Sequence, residues 1–231
     1  MILCAHGTAG APGEAAFAHA RSIRDSGRYH EVAVCCLKGQ PNLAQALAQI
    51  RARPVHLVPL LMADGYTSRV LLPAAIASQA DGAEQLRPTP PIGVHPAMAG
   101  LIARTAHEAC VARGWRPADS ALVILGHGTA RDPGSADSAR AHAQRLASHN
   151  SFASVAAAFL EQPPSLGEML AQIATRPAVV VGYFAERGVH GEGDARRLVA
   201  AGGPLIAYAG PIGCVPGVAS LILDLIASER E

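Results

Sequence analysis

Two apolar runs that end in the same tripeptide decide the fold of this chain. Residues 121–134 read ALVILGHGTARDPG, and residues 1–13 read MILCAHGTAGAPG. In both stretches an apolar run passes into His-Gly-Thr and then into a short segment that contains Pro-Gly. Such runs are typical of a buried β-strand that ends in a loop. A strand end that occurs twice indicates an internal repeat, and a repeat determines the architecture of the whole chain.

Other segments repeat in the same order and at nearly the same spacing. Residues 37–50 match residues 160–173 at an offset of 123, in a shared pattern of Leu, Pro, Leu and Ala-Gln-Ile. The segment PIGVHPAMAGLI at 91–102 matches PIGCVPGVASLI at 211–222 at an offset of 120. The two His-Gly-Thr triplets lie 121 residues apart. The sequence therefore predicts a tandem duplication.

The two predicted domains, 1–115 and 116–231, each alternate short apolar runs with alanine-rich segments of helical length. The runs are apolar throughout, which is typical of parallel strands that are covered on both faces. Strands that alternate with helices imply right-handed crossovers and an open parallel sheet. We therefore expect an α/β fold of two similar domains, each an open, mainly parallel four-stranded sheet flanked by helices. The predicted strands are 2–5, 32–37, 54–61 and 91–94, then 121–125, 154–160, 177–184 and 204–209.

Composition and charge argue against several classes of partner. The chain has 231 residues, of which half are hydrophobic, and its formal net charge is +1. This balance creates no field that would attract nucleic acid or an anionic membrane surface. No apolar run approaches the length of a membrane span. The five cysteines are odd in number and lack C-x-x-C spacing, which favours free thiols in a reducing compartment. We expect a cytoplasmic protein with no nucleic-acid or membrane partner.

The His-Gly-Thr triplets fit metal binding or proton transfer better than other chemistries of His-Gly. Phosphohistidine enzymes use Arg-His-Gly, whereas Ala5 and Gly126 precede the triplets here. A hydrolase would need a Gly-x-Ser-x-Gly elbow, which the chain lacks. It also has no Walker A loop, and HGEGDA at 190–195 lacks the third glycine of a dinucleotide fingerprint. No organic cofactor is therefore predicted, and a neutral imidazole remains as metal ligand or base.

A metal site needs a second ligand, and His190 is the best candidate. It follows the apolar run 177–184 and lies in a glycine-rich loop that opens a helix. Ligands of parallel sheets bind beyond the carboxyl ends of the strands. We therefore expect His127 and His190 to project into the same crevice. In the first half the offset of 123 places Thr67 at the position of His190, so the pair is not repeated there.

Three motifs of the second half occur together, in order, in one known family. The triplet at 127–129 is followed by FLEQPPSL at 159–166, which is similar to Phe-Leu-Glu…Pro-Ser-Leu of that family. Phe184, Gly188, His190 and Asp194 then match its Phe-x-x-x-Gly-x-His-x-x-x-Asp-like segment. The chain resembles the CbiX/SirB branch of the class II chelatases in a two-domain form. The resemblance is strong over residues 121–222 and weaker over 1–102.

This resemblance implies the insertion of a divalent metal ion into sirohydrochlorin, on the way to cobalamin or sirohaem. Co²⁺ is the preferred metal, with Fe²⁺ and Ni²⁺ as alternatives, and the metal is a substrate. His127 and His190 would bind it in an inter-domain cleft and accept pyrrole protons, with Glu161 as a further catalytic group. The protein would act as a monomer or a homodimer on this anionic small molecule. The substrate-binding residues implied are His6, Asp64, Tyr66, Arg131, Arg187 and Glu192.

Each of these residues also has a structural interpretation. His127 would then cap a tight turn, and His190 would be a loop histidine in solvent. Glu161 and Glu192 would be acids at helix N-termini, and His6, Asp64 and Tyr66 would belong to turns. A second function also stays open, namely a non-catalytic protein of the same fold that binds and delivers a metal ion or tetrapyrrole. An unrelated hydrolase is disfavoured because the nucleophile motif is missing.

Overall fold

The chain forms two compact units, each with one parallel β-sheet. The structure, a computed structural model, describes residues 1–7, 13–79, 82–129, 134–173 and 175–228. The first unit comprises Met1–His95 together with Val215–Glu231, and the second unit is Pro96–Cys214. Each sheet has four strands and is flanked by helices. The predicted α/β class with two similar four-stranded sheets is therefore confirmed.

Strands and helices alternate along the described residues. The strands are β1 (Ile2–Ala5), β2 (Ala33–Cys36), β3 (Val55–Pro59), β4 (Leu86–Pro88), β5 (Ala121–Gly126), β6 (Ser154–Phe159), β7 (Ala178–Gly182) and β8 (Ile206–Pro211). The helices are α1 (Glu14–Asp25), α2 (Leu43–Leu47), α3 (Leu72–Ala77), α4 (Met98–Ala112), α5 (Gly134–Ala147), α6 (Leu166–Ile173), α7 (Ala195–Ala201) and α8 (Val218–Ala227). The strand orders are β2-β1-β3-β4 and β6-β5-β7-β8, with parallel pairing throughout.

The central strands β1, β5 and β7 are apolar throughout because both of their faces are covered. Every residue of β1, β5 and β7 is buried. Fully burying one large aliphatic side chain stabilises a fold by about 1.5–3 kcal/mol. The edge strand β6 is only partly buried over most of its length, since it has a neighbouring strand on one side. Continuous apolarity is therefore expected of the central strands, although the edge strand β2 is also buried throughout.

The fourth strand of the first unit lies earlier in the chain than predicted. The prediction of a strand at 91–94 is wrong, because Ile92–Val94 forms a 3₁₀ turn and β4 ends at Pro88. Pro90 and Pro91 have no backbone N–H to donate to a strand ladder, so pairing with β3 stops before them. The turn instead closes the strand ends, since the Gly93 N–H donates to the Leu61 carbonyl at 2.9 Å.

Each compact unit includes one helix whose residues belong to the other sequence repeat. Helix α4 follows β4 in the chain, yet it belongs to the second unit and packs on β7 and α5. Helix α8 follows β8, yet it belongs to the first unit and packs on α1. The sequence repeats and the compact units therefore divide the chain at different places.

The cysteines agree with the compositional expectation. All five cysteines are free thiols, and burial raises the pKa of the Cys36 and Cys110 thiols. In the described ranges, no helix combines the length and the apolarity needed to span a membrane.

Candidate active site

His127 stands at the end of β5 in a loop that is fixed by the loop after β6. Its carbonyl oxygen accepts hydrogen bonds from the N–H groups of Leu160 and Glu161, both at 3.0 Å. The next residue, Gly128, has φ +66° and packs so tightly that a Cβ there would lie 2.5 Å from Cγ of Gln162. The glycine of the triplet is therefore required by backbone conformation and by space. The fixed backbone holds the half-buried imidazole of His127 at the strand end.

His190 lies on a π-helical segment, Gly188–Asp194, that joins β7 to α7. The segment is anchored by Gly191, which is buried and has no room for a Cβ beside the Glu186 carbonyl oxygen. The hydroxyl of Tyr208 donates to the Gly191 carbonyl from strand β8. A π-helix is rare and often marks a functional position. Here it turns the His190 side chain back over the strand end.

The structure brings the two histidines together. The ring centroids of His127 and His190 are 4.5 Å apart, and the ring planes meet at 88° in an edge-to-face contact. The contact follows from the strand order, because β5 and β7 are neighbours and both residues follow their carboxyl ends. Two imidazoles could hold a metal ion while leaving coordination positions open for a second ligand.

Glu161 extends this pair on one side. Its Oε1 atom lies 3.6 Å from Nε2 of His127, and its side chain is 54% exposed. The third candidate catalytic residue is therefore next to the histidine pair, at the end of the third neighbouring strand. Nevertheless, no group of three or more His, Cys, Asp or Glu side chains within the described residues is arranged to hold a metal ion. The pair would bind a metal ion loosely rather than enclose it.

The predicted substrate-binding residues of the second unit lie on the segment that carries His190. Nη1 of Arg187 is 3.9 Å from Oε2 of Glu192, and the guanidinium of Arg196 donates to the other oxygen of Glu192. Glu192 thus lies between two arginines and is mostly buried, while Arg187 is exposed. Arg131 lies outside the described residues.

The carboxyl ends of the strands in the first unit carry different side chains. His6 is exposed, and its carbonyl oxygen accepts from the Lys38 N–H at 3.0 Å, as the His127 carbonyl does from Glu161. Lys38, the only lysine of the chain, therefore stands at the position of Glu161. Strands β3 and β7 begin 123 residues apart, at Val55 and Ala178. The same offset makes Thr67 the residue of the first unit that corresponds to His190. Within the described residues, the imidazole pair and its carboxylate occur together in the second unit.

Asp64 and Tyr66, also predicted as substrate-binding, lie in the loop after β3. Asp64 accepts two hydrogen bonds from the guanidinium of Arg69, at 3.1 and 3.0 Å, and one from the Ser68 hydroxyl. The Arg69 bonds and the Ser68 bond lower the pKa of this carboxyl below its ordinary value. Tyr66 is 58% exposed. Of these groups, Tyr66 is the more accessible to a ligand, since Asp64 is already satisfied by Arg69.

Asp194 is a residue to which the sequence pattern assigns no role. Its Oδ2 atom lies 2.9 Å from Nδ1 of His190, and Oδ1 accepts from Nη2 of Arg197 at 2.8 Å. The sequence offers two signals, the family-like segment that ends at Asp194 and the spacing of four residues from His190, which places the two side chains on one helix face. The three glycines at 188, 191 and 193 obscure the spacing signal.

The site and the fold together define the class of protein. The chain has two α/β units with parallel sheets, and the second unit has an imidazole pair at its strand ends. A model of the CbiX family matches the chain twice, at residues 1–109 and 121–229. The chain belongs to the CbiX family, and a match in both halves is what an internal duplication gives.

Relatives with names or solved structures are similar over nearly the whole chain. A protein of Halobacterium salinarum named "Probable sirohydrochlorin cobaltochelatase" is 26% identical, and the match covers 98% of this chain and 90% of that protein. CbiX, described as the terminal enzyme for biosynthesis of siroheme in denitrifying bacteria, is 26% identical with a TM-score of 0.73. That match covers 98% of this chain and 97% of CbiX.

A larger protein contains the same architecture. A multi-domain protein from Deinococcus radiodurans, described as similar in structure to chelatases, is 26% identical with a TM-score of 0.85. The match covers 100% of this chain but 55% of the Deinococcus chain. The present chain thus spans about half the length of that relative.

Proposed function

We propose that this protein is a chelatase that inserts a divalent metal ion into sirohydrochlorin, with the metal ion as a substrate and without an organic cofactor. The observation that carries the proposal is the contact of His127 with His190 at 4.5 Å between ring centroids. Membership of the CbiX family and similarity to a named sirohydrochlorin cobaltochelatase support the substrate. We propose Co²⁺ as the preferred metal, with Fe²⁺ and Ni²⁺ as alternatives.

Metal insertion into a tetrapyrrole needs a weakly held ion and a base. Nitrogen ligands suit Co²⁺, Fe²⁺ and Ni²⁺, and two imidazoles leave positions through which the ion can pass to the macrocycle. Two pyrrole protons must leave as the metal enters. A neutral imidazole is a base, so either ring can accept one of these protons once it has released the metal. Glu161, 3.6 Å from His127, is placed to take a proton onward.

The macrocycle itself needs cationic partners, because sirohydrochlorin is highly anionic. The net charge of +1 supplies no general attraction, so local groups must hold the substrate. We assign this role to Arg187 and Arg131. The side chain of Arg187 is 64% exposed. Tyr66, His6, Asp64 and Glu192 complete the proposed substrate-binding set. The free thiols support a reducing compartment, the cytoplasm, where a monomer or homodimer would act.

Anaerobic sirohydrochlorin mixed with Co²⁺ and followed by its absorbance tests this function. The protein should accelerate insertion over the uncatalysed rate, and His127→Ala and His190→Ala should each lower that acceleration by about 10²–10⁴-fold. His149→Ala, which changes an exposed histidine of the same unit, serves as the matched control and should keep the rate. Parallel reactions with Fe²⁺ and Ni²⁺ rank the metals.

The result separates the chelatase from a carrier of the same fold. The carrier is favoured by one observation, the presence of Thr67 where the second unit has His190. Tight binding of Co²⁺ or sirohydrochlorin with insertion at the uncatalysed rate would establish the carrier. If insertion is accelerated but both alanine variants keep the wild-type rate, the histidine assignment is overturned while the function stands.

A further inference from the structure

We propose that Asp194 is a positioning residue, which holds His190 in the tautomer whose Nε2 atom is free to bind the metal ion. The inference rests on the proposed function and deepens it, because it names the ligand atom and the side chain that exposes it. Metal-binding histidines are commonly oriented by a carboxylate or carbonyl on their other ring nitrogen. Whether this chain has such an arrangement depends on the partners of each Nδ1 atom.

The contacts of Asp194 fix the proton of His190. An ionised carboxylate only accepts hydrogen bonds, so the 2.9 Å contact requires that Nδ1 of His190 carries the proton. In the neutral ring, Nε2 then keeps its lone pair. The second oxygen of Asp194 is held by Arg197 at 2.8 Å, and the Asp194 side chain is 27% exposed. The carboxylate is therefore itself anchored and can fix the direction of the ring.

The first histidine reaches the same tautomer by a different partner. Nδ1 of His127 lies 2.7 Å from the carbonyl oxygen of Gly128, and a carbonyl likewise only accepts. Both rings of the pair therefore present Nε2. The partner of His127 is part of the backbone and cannot be removed by substitution, whereas the partner of His190 is a side chain. Substitution of Asp194 therefore removes the hydrogen-bond partner of His190 and leaves that of His127 in place.

The duplication provides an internal comparison. Helices α3 and α7 begin 123 residues apart, at Leu72 and Ala195, so the first unit has Leu71 where the second has Asp194. The same offset places Thr67 at the position of His190. The imidazole and the carboxylate are thus both present in one unit and both absent in the other. A carboxylate that only stabilised the start of a helix would not need to accompany the histidine.

The tautomer can be measured directly in the metal-free protein. Two-bond ¹H–¹⁵N spectra of the neutral ring, recorded at alkaline pH, report which ring nitrogen carries the proton. The His190 ring is assigned by its disappearance in His190→Ala. The wild-type protein should show the proton on Nδ1, which is the minor form of free histidine in water. In Asp194→Ala the proton should move to Nε2.

Metal affinity gives the second readout. Titration with Co²⁺ alone should show about 10- to 100-fold weaker binding in Asp194→Ala than in the wild-type protein. Asp194→Asn keeps the size of the side chain and an oxygen that accepts a hydrogen bond, so its loss should be smaller. Asp119→Asn is the matched control. This exposed carboxylate pairs with Arg116 just before β5, at the amino end of the strand and away from the two histidines. The control should retain both the His190 tautomer and the Co²⁺ affinity.

Two results would overturn the inference: a His190 ring protonated on Nε2 in the wild-type protein, or an unchanged tautomer and Co²⁺ affinity in Asp194→Ala. Circular dichroism checks the fold of each variant, and the near-isosteric Asp194→Asn keeps the test available if the alanine variant unfolds. Failure of the proposed function is distinguishable from these outcomes. The tautomer and Co²⁺ affinity would then respond as expected, while sirohydrochlorin would remain free of metal.

Discussion

Gly128 shows how a single residue positions the chemistry of the second unit. Its φ of +66° lies in the left-handed region that other residues rarely adopt, and its neighbours leave no space for a side chain. Gly7 occupies the same place after β1, with φ +92°. Both triplets therefore need their glycine for the backbone, whereas only one of the two histidines meets a second imidazole. The shared His-Gly-Thr motif therefore specifies the same turn in both units, while the histidine pair is formed at His127.

A substitution at this glycine should affect stability and metal binding together. Gly128→Ala forces a strained backbone and a collision with Gln162, so we expect a loss of about 1–3 kcal/mol in the free energy of unfolding. The displaced loop should also weaken Co²⁺ binding, because His127 is part of it. Urea denaturation and Co²⁺ titration measure the two effects. Gly167→Ala is the control, since this exposed helical glycine has open space around it.

Gly167→Ala should stabilise the protein slightly, by about 0.5–1 kcal/mol, because alanine favours a helix over glycine. If Gly128→Ala instead matches this control in stability and keeps the wild-type Co²⁺ affinity, the described role of the turn is incorrect.

The sequence places some site residues well and leaves others out for physical reasons. His127 and His190 are predictable because each follows a buried strand, and parallel strands share one carboxyl edge. Their direct contact additionally requires β5 and β7 to be adjacent, which depends on strand order and not on any local pattern. Asp194 is harder to find, because its contact requires helical geometry through three glycines, which have low helix propensity.

At the scale of elements, the two π-helical segments show how the duplicated units have diverged. One spans Thr67–Leu71 and the other Gly188–Asp194, and each joins the third strand of its sheet to the next helix. Tyr208 in β8 supports the second segment through its hydroxyl. By strand register, Pro88 of β4 is its counterpart in the first unit, where it lines a cavity of about 580 Å³. The first unit thus lacks this support.

Removing the Tyr208 hydroxyl should loosen the segment that carries His190. Burial raises the pKa of this phenol well above its ordinary value, so the hydroxyl remains protonated and donates to Gly191 at any physiological pH. Tyr208→Phe keeps the ring but leaves the Gly191 carbonyl without this donor. We expect a loss of about 0.5–1.5 kcal/mol in the free energy of unfolding and faster amide exchange over Gly188–Asp194.

Denaturant unfolding and hydrogen exchange measure these effects. Tyr29→Phe is the control, because Tyr29 lies in the loop after α1 of the first unit. Exchange over Gly188–Asp194 that is no faster in Tyr208→Phe than in this control would contradict the supporting role of the hydroxyl.

Continuous apolar runs locate the strands to within two or three residues, but the fourth strand of the first unit shows where this reasoning fails. The segment 91–94 is apolar and repeats as 211–214, so its pattern suggests a strand. The segment does not form a strand, because Pro90 before it and Pro91 at its start have no N–H to donate to the ladder. Hydrophobicity indicates which segments are buried, while hydrogen-bonding capacity determines which of them can pair.

At the scale of the whole molecule, the position of α4 changes which fragments should fold. The second unit is one continuous stretch, Pro96–Cys214, and includes α4. We expect a fragment of residues 96–214 to unfold cooperatively on heating and to give a well-dispersed amide spectrum. A fragment of residues 116–231, which follows the sequence repeat, should do neither. It lacks the helix that packs on β7 and α5, and it carries α8, whose buried apolar face belongs to the first unit.

Circular dichroism melting curves and ¹H–¹⁵N spectra of the two fragments, with the full chain as reference, make this comparison. A cooperative transition in 116–231 together with its absence in 96–214 would show that the sequence repeats, and not the compact units, are the folding units. Co²⁺ titration of the fragment 96–214 would add a functional readout, since it contains His127, His190 and Asp194.

Because α8 belongs to the first unit, the two units can complete their folding at different times during translation. Translation runs from the N-terminal to the C-terminal side, so the first unit receives the helix Val218–Ala227 after the whole of Pro96–Cys214 has been translated. Domains tend to fold as units while translation proceeds. The unit with the His127–His190 pair can therefore fold on the nascent chain, whereas the face of α1 that packs on α8 stays uncovered until α8 has been translated. The nascent first unit is the stage at which we expect chaperones to be needed.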